Sequence, residues 1–180
     1  MKRVAIFGLI FAFVLSLQAQ DQDQKKATDL RSVLLEQLRT THDKNDWFVS
    51  IKTAVDGVTP EQVNWKQGTG NHSVGQLTYH LLFWNRRSLA ELKGEPKEKF
   101  SGNNEETFDN FDSKQWNENV KQLDQVMTEL ERFVVTADQQ KLTASASTIA
   151  HIGTHNAYHV GQIVVIRKLQ GSWNPEKGVK

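Results

Sequence analysis

The tightest constraint on this chain is the spacing Trp116, Val120, Leu123, Met127, Leu130 and Val134, in which large apolar residues recur in steps of four and three. That spacing follows the 3.6-residue turn of an α-helix and puts all six side chains on one face, which must be buried against something. Three further segments carry the same periodicity. In the first, Leu30, Leu34, Leu38, Phe48, Ile51 and Val55 mark one face around an irregular middle at Thr40 to Asn45, and Asp56-Gly57 and Thr59-Pro60 stop it. The second starts at Ser73, with Gln76 three residues later completing a capping box. It continues inward through Leu77, Leu81 and Trp84 and ends at Gly94 and Pro96. The fourth runs from about Ser145 to Leu169, with Ile149, Ile152, Ile163 and Ile166 on one side and Gly171 as its stop. Pro96 to Asp112 is polar and acidic and reads as a surface loop. No stretch alternates strongly with period two. Four amphipathic helices of about 20 residues predict an all-α fold, a four-helix bundle spanning residues 29–175.

Residues 1–20 read differently. Lys2 and Arg3 precede an apolar run from Val4 to Leu17, broken only by Gly8 and Ser16, and small or polar residues follow. This is the pattern of a secretory signal peptide, so the mature protein is expected to be exported, periplasmic or secreted. Leu17 stands where a cleavage site prefers a small residue, which leaves an uncleaved anchor as the alternative reading. The run is short for a span of about 20 residues, so no stable membrane span is expected after cleavage. Residues 21–28 are polar and read as a flexible mature terminus. The chain has no cysteine, which excludes disulfides, thiolate metal sites, lipid attachment and cysteine nucleophiles together. Without Lys2 and Arg3 the count is 20 basic against 21 acidic residues, with no basic cluster. Nucleic acid and anionic membranes are therefore not expected partners.

Three of the six histidines, His151, His155 and His159, follow one another at four-residue spacing. Adjacent members of such a series stack on one helix face and can converge on one metal, whereas the outer pair is roughly 12 Å apart along the axis. One adjacent pair plus a histidine from another helix is the sensible chelate. The buried stripe of the fourth segment passes over His159 and beside His155, and leaves His151 at its edge. His80 sits between Leu77 and Leu81 and so also points at or near the core. Burying an unsatisfied imidazole costs about 1–3 kcal/mol. A shared metal satisfies all three at once, and three separate hydrogen-bond arrangements would do so too; spacing and stripe alone leave both readings open. His42 and His72 fall off the inward stripes and read as surface or loop residues.

His155-Asn156-Ala157-Tyr158-His159-Val160-Gly161-Gln162-Ile163, followed by Arg167 and Leu169-Gln170-Gly171, resembles the last-helix signature of the DinB-like superfamily. Ser73-Val74-Gly75-Gln76-Leu77 through His80 resembles that family's second helix, and Trp173-Asn174-Pro175 is similar to the tail of one branch. The resemblance covers about Leu30 to Pro175. It implies an up-down-down-up bundle with a divalent metal held by three histidines, which map onto His80, His155 and His159. Members of this superfamily are often cytoplasmic, and in that respect this chain's leader departs from them.

Three imidazoles without a fourth protein ligand leave a coordination position open. On zinc, a water there has a pKa of about 7 against about 15.7 in bulk, and a thiol would become a thiolate. Such ligation suits zinc, nickel, copper or iron(II) and does not choose among them. The resemblance implies a thiol S-transferase acting on a small-molecule thiol, because the superfamily includes thiol-dependent S-transferases and a mycothiol-dependent isomerase. Export weakens that reading, since cytoplasmic thiols are scarcer outside. A metal-dependent hydrolase is the catalytic alternative. The non-catalytic one is a bundle whose metal staples the second helix to the fourth, or that serves as a ligand-binding module or homodimer. Catalytic residues stay unassigned. Tyr79, Asn156, Tyr158 and Gln162 read as packing residues or as partners of the ligands, and Trp84 as core or as a pocket wall.

Overall fold

The computed structural model describes residues 29–109 and 111–178. The expected leader (1–20) and polar terminus (21–28) lie outside the described residues. Among those described there are seven α-helices, two short 3-10 turns and no strand. Four helices build the body: α1 (Leu30–His42), α4 (Val74–Lys93), α6 (Trp116–Thr136) and α7 (Gln139–Leu169). Three short ones, α2 (Ile51–Val55), α3 (Pro60–Val63) and α5 (Glu106–Asp109), sit in the connections.

Local chemistry explains most of the boundaries. Ser73 accepts from the Gln76 amide at 3.2 Å while Gln76 Oε1 accepts from the Ser73 amide at 3.1 Å, the expected capping box of α4. Gly94 ends that helix in the left-handed region (φ 73°), where a side chain would be strained. The first segment is not one bent helix. Asn45 Oδ1 accepts from the amide and hydroxyl of Ser50 and from the hydroxyl of Thr53, and this knot breaks the chain between α1 and α2. Helix α7 begins at Gln139, earlier than the Ser145 expected. Asp138 caps it through the Lys141 amide at 2.7 Å, and among Gln139 to Ser145 only Leu142 is buried, too little to mark a stripe.

Cross-helix contacts fix the directions. Arg31 donates to the carbonyls of Val134, Val135 and Ala137, and His42 meets Asp124 and Glu131, so α1 runs antiparallel to α6. Arg86 reaches Gln122 and Lys93 reaches Glu129, so α4 runs parallel to α6. Gly153 lies against Gln37, and Arg167 donates to the carbonyls of Ala54 and Asp56, so α7 runs parallel to α1. The bundle is up-down-down-up, with α1 and α4 each packed against both α6 and α7. Its centre is filled by Leu38, Leu77, Leu81, Met127, Leu130 and Ile149, all nearly inaccessible. The expected stripe of α6 faces inward, with Val120 only partly buried. In α1 the stripe holds at Leu34 and Leu38 but fails at Leu30, which is exposed. Among the described residues no helix is long and apolar enough to cross a membrane.

The connection from α4 to α6 corrects the surface-loop expectation for Pro96 to Asp112. It contains α5, whose Thr107 and Phe108 are buried, and Phe111 packs partly buried beside Gly75. A Cβ on Gly75 would come within 2.3 Å of the Phe111 ring, so this close approach requires glycine. The parallel directions of α4 and α6 force such a long return, and it folds back over the end of α4 that carries His80.

Candidate metal centre

The three histidines converge. His80 comes from the second turn of α4, and His155 and His159 come from successive turns of α7. One nitrogen from each lies within 4.8 Å of the others, and the Nε2 atoms of His80 and His155 are 3.1 Å apart. Nitrogens bound about 2.0–2.1 Å from one tetrahedral ion would be roughly 3.3–3.4 Å apart, so this spacing is close to that of a shared ligand shell. His80 and His159 are buried and His155 is half-buried.

The surrounding hydrogen bonds decide which nitrogen each ring presents. Thr107 donates its hydroxyl to the Asn104 carbonyl at 2.6 Å, so the same oxygen accepts from Nδ1–H of His80, also at 2.6 Å. His159 Nδ1–H donates to Gln162 Oε1 at 2.6 Å. In both rings Nε2 is then the unprotonated nitrogen, and that of His80 faces His155 Nε2. Burial pushes His80 down to about 3, with the neighbouring His159, His155 and His72 adding to it. Burial and then His159 push His155 to about 4. His159 is also lowered by burial, with the Gln162 hydrogen bond opposing. The rings are therefore neutral at physiological pH, the form that binds metal.

Aromatic stacking holds the group from one side. The Phe108 ring lies parallel to His80 at 4.0 Å and to His72 at 3.8 Å. Beneath the histidines, Asn85 and Asn156 are fully buried and exchange side-chain hydrogen bonds at 2.8 and 3.3 Å, which ties α4 to α7. The remaining side opens into a cavity of about 680 Å³ that also reaches Trp84, Ser88 and Thr148. Ser88 comes from α4 and Thr148 from α7.

The expected ligand set is thus the one the fold brings together, and the spare, His151, is exposed at the cavity's edge. Gln162 is the partner of the His159 ring, Asn156 is a core residue, and Trp84 and Tyr158 line the cavity. Tyr79 does not. Thr107 and Phe108 carried no signal of their own; Phe108 is one of three phenylalanines, with Phe100 and Phe111, in the polar acidic run from Pro96 to Asp112. His72 is in a loop as expected, but half-buried.

His42 is a plain correction. It is buried, 6% exposed, with Nδ1 2.6 Å from Glu131 and Nε2 3.0 Å from Asp124. It also forms a candidate metal-holding group with Asp43 and Glu131. Both ring nitrogens already face carboxylates, however, and burial, which would lower its pKa, is outweighed by these bonds, which raise it. This histidine is an ion-pair partner, not a ligand. It borders a larger groove of about 820 Å³, where Lys177 is likewise paired with Asp56.

A helical bundle with an inward-facing histidine triad at one seam is the class of protein defined here. A family model described as the DinB superfamily matches residues 50–163, a span that contains all three histidines, and the chain belongs to that family. No curated protein and no solved structure matches it.

Proposed function

We propose that this chain binds one divalent metal ion through His80, His155 and His159 and uses its open position to bind a small-molecule thiol for transfer to an electrophile. The observation that carries the reading is a set of neutral, pre-oriented imidazoles at the floor of a cavity large enough for a small molecule. A metal held there would act as a Lewis acid, lowering the pKa of a bound thiol or water. The chain's own contribution is orientation. Thr107 and Gln162 hold two rings in the metal-binding tautomer, Phe108 fixes the plane of His80, and the Asn85–Asn156 pair sets the register of α4 against α7. That amide pair also speaks against a metal serving only as a staple, since the two helices are already joined without it.

The hydrolase reading uses the same ligands and differs in the nucleophile. Among the described residues Glu105 is the cavity's one carboxylate and is exposed, so it does not separate the readings: a metal there would lower the pKa of a bound water or thiol, and either proton can leave to solvent. Export of a mature chain beginning near residue 21 belongs to the same proposal. Lys2, Arg3 and the apolar run to Leu17 support it, and intact-mass measurement of protein from its native host checks it. The functional test is metal analysis of untagged protein, followed by turnover of the metal-loaded form on thiol-plus-electrophile and ester panels. Stoichiometric metal with thiol turnover is the expected result. Ester turnover alone would move the assignment to hydrolysis, and absence of metal after reconstitution would end it.

A further inference from the structure

The charges around the cavity are one-sided. Among the described residues its lining contains no lysine and no arginine. The arginines next along α4 are engaged elsewhere: Arg86 with Gln122 and Glu98, and Arg87 with the Glu98 carbonyl. The single charged side chain of the lining is Glu105, exposed at the rim. Its position follows from the fold. Asn104 is held by the Thr107 hydroxyl, and α5 is pinned by Phe108 against His80, so residue 105 is carried to the cavity mouth. The rest of the wall is aromatic, histidine or neutral polar, with Ile152 the one aliphatic side chain.

An anionic tail on a ligand entering here would lose hydration without meeting a cationic partner, and would approach a carboxylate. A cationic tail would meet Glu105 and the face of Trp84 or Tyr158. We infer that the cavity selects ligands whose end remote from the metal is cationic or neutral, and that Glu105 is the residue that discriminates; this rests on the metal-bound thiol reading above. The ligand class is an amine-bearing or uncharged thiol, not one carrying several carboxylates or a phosphate.

The test uses a matched series of six-carbon thiols ending in ammonium, hydroxyl or carboxylate. Each is titrated at pH 8 into cobalt-loaded protein, with the thiolate-to-metal absorption band as the readout. The ammonium thiol is expected to bind tightest and the carboxylate weakest, with about three- to tenfold between the extremes at low salt, shrinking as salt screens Glu105. Glu105→Gln should bring the ammonium and hydroxyl thiols to about equal affinity, and Glu105→Lys should reverse the order. Circular dichroism of both variants confirms that an exposed substitution leaves the fold intact. A band that develops with all three thiols at equal affinity, or most tightly with the carboxylate, would overturn the inference while leaving the metal-bound thiol reading in place. No band with any thiol would overturn both.

Discussion

The seam between α1 and α6 and the seam between α4 and α7 both bury histidine, and they treat it in opposite ways. At the first, His42 is placed between two carboxylates and both ring nitrogens have an acidic partner, which raises its pKa against the effect of burial. At the second, the ring nitrogens meet a hydroxyl, an amide oxygen and each other, so the rings are neutral and lone pairs are left over. Burial alone does not separate the cases, since His42 and His80 are 6% and 3% exposed. The partners do. A buried polar group with all its capacity satisfied is structure, whereas ring nitrogens that converge with only one another to meet mark a candidate binding place.

Substitutions at the two seams should separate these roles. The largest effect is expected from His159→Ala, which should drop bound metal from stoichiometric to near zero by elemental analysis. His42→Ala should leave metal content unchanged but destabilise the fold by about 1–3 kcal/mol in urea melts, because partly buried Glu131 keeps only the longer Arg39 contact at 3.6 Å and a buried ring is removed. Equal metal loss in both variants would erase the distinction. Thr107→Val removes only the hydroxyl that orients His80; it should weaken metal affinity about tenfold or more, measured by chelator competition, with the metal-free melting point nearly unchanged.

The smallest effect concerns pH. His42 is raised above its ordinary value of 6.5. Its folded-state advantage is therefore full below about 6.5 and is lost as pH rises through the raised value. The stability gap between wild type and His42→Gln should narrow from pH 6 to pH 9. The histidines of the other seam are lowered, so their neutral form favours the fold above about 6.5 and that contribution falls away as pH drops toward 4. The metal-free His80→Phe variant should accordingly lose less stability than wild type between pH 7 and pH 5. A parallel response at both seams would contradict the assigned charges.

Much of this was legible in the chain itself, and the failures have physical causes. The stripe of α6 and the capping box at Ser73 were readable because each is local: periodicity and a side chain meeting its own backbone. The histidine triad was half legible. Four-residue spacing and the stripe through Ile152 and Ile163 pointed to His155 and His159, while the partner on α4 needed either the family resemblance or the fold. His42 was misread because the chain was taken to be irregular from Thr40; in a helix continuing to His42 it falls one turn after Leu38, on the buried side. Thr107 and Phe108 were invisible for a different reason. They lie in a four-residue helix with no periodicity of its own, buried only because α4 and α6 run parallel and the chain must travel back along the bundle.

The sandwich of Phe108 between His72 and His80 has a kinetic consequence. The same short helix supplies the hydroxyl that orients His80 and the ring that covers it, so it fixes one ligand of the proposed site while the cavity side stays open. If a metal is bound, its lifetime should then depend on how long residues 96–109 stay seated on α4, because His80 loses its orienting hydroxyl when they detach. Nicking that connection with a protease would shorten metal residence far more than it lowers the melting temperature.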